Sequence, residues 1–113
     1  MGTDKTLQPD LPNGAVDLLI LRALLGGKRH GYGIAQHIRD CSDDVLDLGE
    51  SSLYTSLQRL LLNGWVSAEW GASENNRRAR FYTLTSTGRK QLDRQTQQFE
   101  RVLGAIQQVL RTA

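Results

Sequence analysis

One cysteine, Cys41, among 113 residues leaves no disulfide framework and no cysteine-rich zinc site. Apolar runs are equally scarce. The longest, Leu18 to Leu21, is far short of the ~20 residues needed to cross a bilayer, and the start of the chain does not have the pattern of a secretory leader. A cytoplasmic protein with no membrane partner is therefore expected. The two prolines, Pro9 and Pro12, both lie ahead of the first patterned segment. Clusters that could carry chemistry are missing too. His30 and His37 stand apart from any cysteine or acid at metal-ligand spacing, and no nucleophile, base and orienting acid can be assembled into a triad. Gly31-Tyr32-Gly33 lacks the third glycine and the preceding strand of a dinucleotide loop, and Gly26-Gly27-Lys28 lacks P-loop spacing. These absences argue against an enzyme and against any metal or cofactor.

What remains has the composition of one small globular domain: 39% hydrophobic and 23% charged residues. The net charge of +2 conceals a strong asymmetry. Residues 1–76 hold six basic and ten acidic side chains, whereas residues 77–113 hold eight basic and two acidic ones. Such a division predicts a localised basic surface facing an anion.

Residues 1–11 are polar and read as a flexible arm, with Asn13 as the N-cap of the first helix. From Ala15 to Leu25 only Asp17 and Arg22 interrupt the apolar residues, which predicts a helix covered around most of its circumference and stopped by Gly26-Gly27. A second helix is expected from Tyr32 to about Cys41, with Ile34, Ala35 and Ile38 inward, followed by a turn at Ser42-Asp43-Asp44 and an extended link, Val45 to Gly49. A third helix opens with Ser51 as N-cap and ends at Asn63-Gly64. Strands are expected over Trp65–Trp70 and Arg80–Leu84, joined by a polar loop from Gly71 to Ala79 that carries Arg77 and Arg78. Thr85 then caps a last helix from Ser86 to about Leu110.

Along that last helix Leu92, Phe99 and Ile106 recur every seven residues, flanked by Val102, Val109, Leu103 and Leu110. A helix of about 25 residues is about 37 Å long at ~1.5 Å per residue, more than a body of this size can cover. Leu18 and Leu19 of the first helix, with Leu92, Phe99, Val102, Leu103, Ile106 and Leu110 of the last, are thus the candidate dimer contact.

Three helices, a hairpin with a basic loop and a trailing helix are the parts of a winged helix-turn-helix, a mainly α fold with a small β-hairpin (α+β). The division expected is a DNA-binding domain over residues 12–85 and a dimerisation helix over 86–113. On the third helix Leu53, Leu57, Leu60 and Leu61 share one face, and Ser51, Ser52, Thr55, Gln58 and Arg59 the other. Gln58 suits adenine and Arg59 guanine by bidentate contacts, while Ser51, Ser52 and Thr55 near the helix N-terminus suit phosphates. Tyr54 borders the apolar face with its hydroxyl within reach of a phosphate. Asn76, Arg77, Arg78 and Arg80 follow the last acid of the wing, Glu74, with Arg89-Lys90 extending the positive charge. Leu62 falls on the outward side without an evident role.

Several motifs taken together carry a likeness: Leu21-Arg22-Ala23-Leu24, His30-Gly31-Tyr32-Gly33-Ile34, Ser52-Leu53-Tyr54, Leu57-Gln58-Arg59-Leu60, Gly64-Trp65, Glu69-Trp70, Asn75-Asn76-Arg77-Arg78, and Tyr82-Thr83-Leu84-Thr85 with Gly88. Over residues 11 to 110 the chain resembles the PadR family of bacterial transcriptional regulators, in particular its short members with one C-terminal helix, a group common in acidobacteria. The resemblance implies a homodimeric repressor that binds an inverted-repeat operator in double-stranded DNA and is released by a small, often aromatic, effector near the dimer interface. Trp65, Trp70 and Phe99 are the candidate effector residues. The chain departs from its relatives at Ser51-Ser52-Leu53-Tyr54-Thr55-Ser56-Leu57, where Gly-Ser-Leu-Tyr-Pro-Ala-Leu is common. It departs also at Leu61 and Leu62, where charged residues are frequent, and at Phe99, often Trp. Two other readings of the same parts are a winged-helix module for protein interaction and a ligand sensor without DNA binding.

Overall fold

The computed structural model describes Leu11 and residues 14–112, so that the Asn13 cap and nearly all of the expected arm lie outside the described residues. Helix α1 (Ala15–Ala23) starts at Gly14, whose φ of 86° only glycine adopts at ease, and buries Ala15, Asp17, Ile20, Leu21 and Ala23. It ends two residues earlier than its composition suggests. Leu24–Gly26 tighten into a 3₁₀ turn, and Gly27, at φ 137°, redirects the chain. The Arg29 Nε donates to the Ala23 carbonyl at 2.9 Å, satisfying one of the acceptors that the helix end leaves open.

Strand β1 (Arg29–His30) is an element the sequence does not announce, because two residues carry no alternation. It exists by pairing: Arg29 opposes Tyr82 and His30 opposes Phe81. A strand therefore does precede Gly31-Tyr32-Gly33, but it is two residues long and pairs antiparallel, so that stretch lacks the parallel βαβ unit of a dinucleotide loop as well as its third glycine. Helix α2 (Gly31–Cys41) follows directly, with the His30 Nδ1 accepting from the Gly33 N–H at 3.0 Å as its cap. Ile34 and Ile38 point into the core.

Helix α3 (Glu50–Leu62) begins one residue before Ser51, which lies inside the first turn; Gly49 takes the N-cap position with extended backbone and no side-chain cap. Its inward face is Leu53, Ser56, Leu57 and Leu60, with Leu61 half-buried. The helix ends as expected at Asn63, and Gly64 turns out of it at φ 73°. Strands β2 (Val66–Ala72) and β3 (Arg78–Leu84) pair antiparallel from Val66↔Leu84 to Ala72↔Arg78 in a sheet of order β1-β3-β2. The hairpin loop is thus residues 73–77, shorter than the expected Gly71–Ala79, because both strands continue toward the tip. Arg78 consequently lies on β3, while Arg77 remains in the loop.

Helix α4 (Ser86–Arg111) is capped by Thr85, whose Oγ1 accepts from the Gly88 N–H at 3.0 Å and donates to the Gly64 carbonyl at 2.7 Å. This ties the helix to the end of α3. At Gly88 a Cβ would collide with the Trp65 carbonyl, so only glycine lets α4 seat this closely. One core joins Ile20, Leu21 and Leu24, Ile34 and Ile38, Leu53, Leu57 and Leu60, Val66, Tyr82 and Leu92.

Candidate nucleic-acid interface

The positions that face outward on α3 follow from its burial. With Leu53, Ser56, Leu57 and Leu60 inside, the opposite stripe at 100° per residue is Ser51, Thr55, Gln58 and Leu62, all exposed, flanked by exposed Ser52 and Arg59. Arg59 is already engaged. Its Nε donates to the Asp17 Oδ2 at 3.0 Å, and its Nη2 donates to the Asp17 Oδ1 at 2.7 Å and to the Ser56 Oγ at 3.1 Å. Asp17, 7% exposed on α1, is the buried partner of this fork. The hydrogen bond to Asp17, followed by its charge, raises the Arg59 pKa above the ordinary arginine value. The signal in the sequence was Asp17 itself: a carboxylate at the same helical face as Ile20, Leu21 and Leu24 needs a cationic partner.

Tyr54 packs against Gly31, where any side chain would meet its hydroxyl and ring. Burial, then the neighbouring Tyr82 and Glu50, push its phenol pKa above the ordinary value. It borders both surfaces of interest: the outward groove of α3 and a cleft of about 920 Å³ between the N-terminus of α2 and the wing. The cleft is walled by Tyr32, His30 and Gln36 on one side and by Trp70, Arg78 and Arg80 on the other.

On the wing, alternation brings Arg78, Arg80 and Tyr82 to one face of β3. The Arg78 guanidinium stacks 4.5 Å from the Trp70 ring centroid, and that of Arg80 lies 5.9 Å from Tyr82. Stacking on a ring face holds a guanidinium in place while its N–H edges stay available to an anion. Arg77 and Asn76 are exposed at the loop, with Asn76 in the left-handed region at φ 60°. Arg89 and Lys90 are exposed at the start of α4. Among the described residues, no group of three His, Cys, Asp or Glu is arranged to hold a metal, and no helix is long and apolar enough to cross a membrane.

The proposed effector aromatics do not converge within one chain. Trp70 belongs to the wing under Arg78, Trp65 lies five positions earlier beside the start of α4, and Phe99 is on the outer part of α4. The candidate dimer residues divide as well. Leu92 is buried in the core of its own chain and is not presented to a partner, whereas Leu18 and Leu19 are half-buried beside that core. Phe99, Val102, Leu103, Ile106 and Leu110 are exposed, with Val109 beside them.

Residues 20–94 match the model of the Transcriptional regulator PadR-like family. The chain belongs to the PadR family. Two structures and one sequence illustrate how it compares. A transcriptional regulator from Clostridium thermocellum is 30% identical, with a TM-score of 0.76 over 84% of this chain and 92% of its own. Bacillus subtilis PadR, in complex with operator DNA, shares the fold at 22% identity and a TM-score of 0.66, covering 75% of this chain and 48% of that longer one. A protein of Lysinibacillus sphaericus known as Uncharacterized protein X is 30% identical over 86 residues, 76% of this chain and 79% of its own. The α+β winged-helix architecture is that of PadR regulators: the third helix follows the turn, and the hairpin forms the wing.

Proposed function

We propose that this PadR-family chain is a cytoplasmic, homodimeric repressor that binds an inverted-repeat operator in double-stranded DNA. The observation that carries the reading is the shared surface formed by the exposed polar stripe of α3 and the stacked arginines of the wing, joined at Tyr54. In this reading Ser51, Ser52, Tyr54 and Thr55 contact phosphates, Gln58 faces a base edge, Arg59 meets DNA with the guanidinium edge that Asp17 leaves free, and Asn76, Arg77, Arg78 and Arg80 hold the backbone beside the groove. Residues 12–85 bind DNA and residues 86–113 pair the chains. The apolar surface on α4, from Phe99 to Leu110, supports pairing, since it is a contiguous stripe on one helix. A small aromatic effector then acts near Phe99, where two copies would meet. The resemblance and the bound operator in the Bacillus subtilis structure support the reading from outside this chain.

Fluorescence-anisotropy titration against the chain's own upstream DNA and a scrambled duplex, across a salt series, tests the proposal. Preferential binding of the native duplex is expected, with log K falling by about 0.9 per phosphate neutralised for each unit of log salt. Arg77→Ala with Arg78→Ala should reduce affinity for both duplexes and flatten the salt dependence by about one to two phosphates. Adding a panel of aromatic ligands to the same titration should release the wild-type complex. Equal, weak binding to both duplexes would leave either a different operator, to be sought in random DNA, or the interaction-module reading. Ligand binding without a DNA signal would favour the sensor.

A further inference from the structure

The recognition helix of a DNA reader usually owes its guanine contacts to arginine or lysine. Here α3 contains one such residue, Arg59, whose Nε and Nη2 are held by both oxygens of the buried Asp17 carboxylate and whose half-exposed side chain lies at the edge of the outward face. The stripe most directly opposed to the core is uncharged: Ser51, Thr55, Gln58 and Leu62. Leu62 is 80% exposed, more than any other large hydrophobic residue among those described. It lines an outward groove of α3 together with Tyr54, Thr55, Gln58, Arg59 and Asn63. From Ser51 to Leu62 the stripe rises about 16 Å at ~1.5 Å per residue, the length of about five base-pair steps at ~3.4 Å.

We propose that the stripe of α3 most directly opposed to the core reads A·T pairs: Gln58 recognises an adenine and Leu62 packs on the methyl group of a thymine in the same half-site. The inference rests on the DNA-binding reading above and names the base chemistry that this surface accepts. An amide can donate to the adenine N7 and accept from its N6 amino group, a pairing that guanine does not offer. An aliphatic side chain at the groove floor discriminates by apolar contact, and the thymine methyl is the apolar group that the major groove displays. Leu62 lies four residues and ~6 Å after Gln58 on the same side of the helix, so in one docking the two reach base pairs about two steps apart. Arg59 ties α3 to α1 through Asp17 at the edge of this stripe.

The experiment begins with selection of bound duplexes from a random pool by the full chain. Each thymine of the selected site is then replaced, one at a time, by deoxyuridine, which removes the methyl and leaves the hydrogen-bonding edge intact. Wild type should lose about fourfold in affinity at one thymine per half-site, the worth of one buried methyl group at ~0.8 kcal/mol. Leu62→Ala should bind the thymine and deoxyuridine duplexes equally at that position, with an unchanged circular dichroism spectrum. Gln58→Ala should relax the preference for an adenine in the same half-site by about 5- to 150-fold, as expected for losing a bidentate pair of ~1–3 kcal/mol. Specific binding in which no thymine shows the methyl effect, or in which Leu62→Ala retains it, overturns this inference alone. Failure to select any sequence overturns the DNA-binding reading together with it.

Discussion

Asp17 and Arg59 form an ion pair between α1 and α3. Arg59 sits at the outward edge of α3, where a carboxylate from α1 takes its Nε and Nη2 while the side chain stays half exposed. A buried acid is costly without its cation, so the pair is expected to behave asymmetrically in a double-mutant cycle. Arg59→Ala leaves Asp17 buried and unpaired and should be the least stable variant. Asp17→Ala with Arg59→Ala should recover part of the loss, with a thermal midpoint above that of Arg59→Ala alone. Thermal melts of the three variants check this, and a double variant less stable than Arg59→Ala contradicts the assignment. The residue identities on α3 were legible from periodicity, because inward leucines fix the outward set. The engagement of Arg59 was not, since its partner lies 42 positions away and only the fold brings them together.

The helices were more legible than the sheet. Helix α4 announces itself through seven-residue recurrence and the Thr85 cap, and it spans 26 residues as an unbroken helix. Strand β1 depends wholly on Tyr82 and Phe81 opposite it, and the tip of the hairpin extends through Gly71, Ala72, Arg78 and Ala79, residues with little strand preference of their own. Cross-strand pairing, which single-chain periodicity does not report, sets those boundaries. Recurrence also failed to separate the two roles within α4. Leu92 fills the core of its own chain, so Leu92→Ala should destabilise the fold by about 2–5 kcal/mol in denaturant melts. Ile106, half exposed, should act otherwise: Ile106→Lys should leave the helix content intact while shifting sedimentation from dimer toward monomer. A dimer unaffected by Ile106→Lys would place the contact elsewhere.

Across the molecule, the polar stripe of α3 and the wing arginines share Tyr54 as a border, while α4 carries its apolar stripe beyond the helical body. A twofold pair joined through α4 would present two such surfaces to DNA, and symmetry then demands a near-palindromic site. The half-sites should be separated by about one helical turn, ~34 Å, the spacing at which two recognition helices enter the same side of the duplex. Charge is suited to this arrangement, since eight of the fourteen lysines and arginines fall after residue 76, in the wing and α4. Hydroxyl-radical footprinting of the protein on its own upstream DNA tests the central claim most directly. Two symmetric protected patches about one turn apart, with two chains bound per site, are predicted. A single patch bound by one chain, or protection spread uniformly along the duplex, would contradict it.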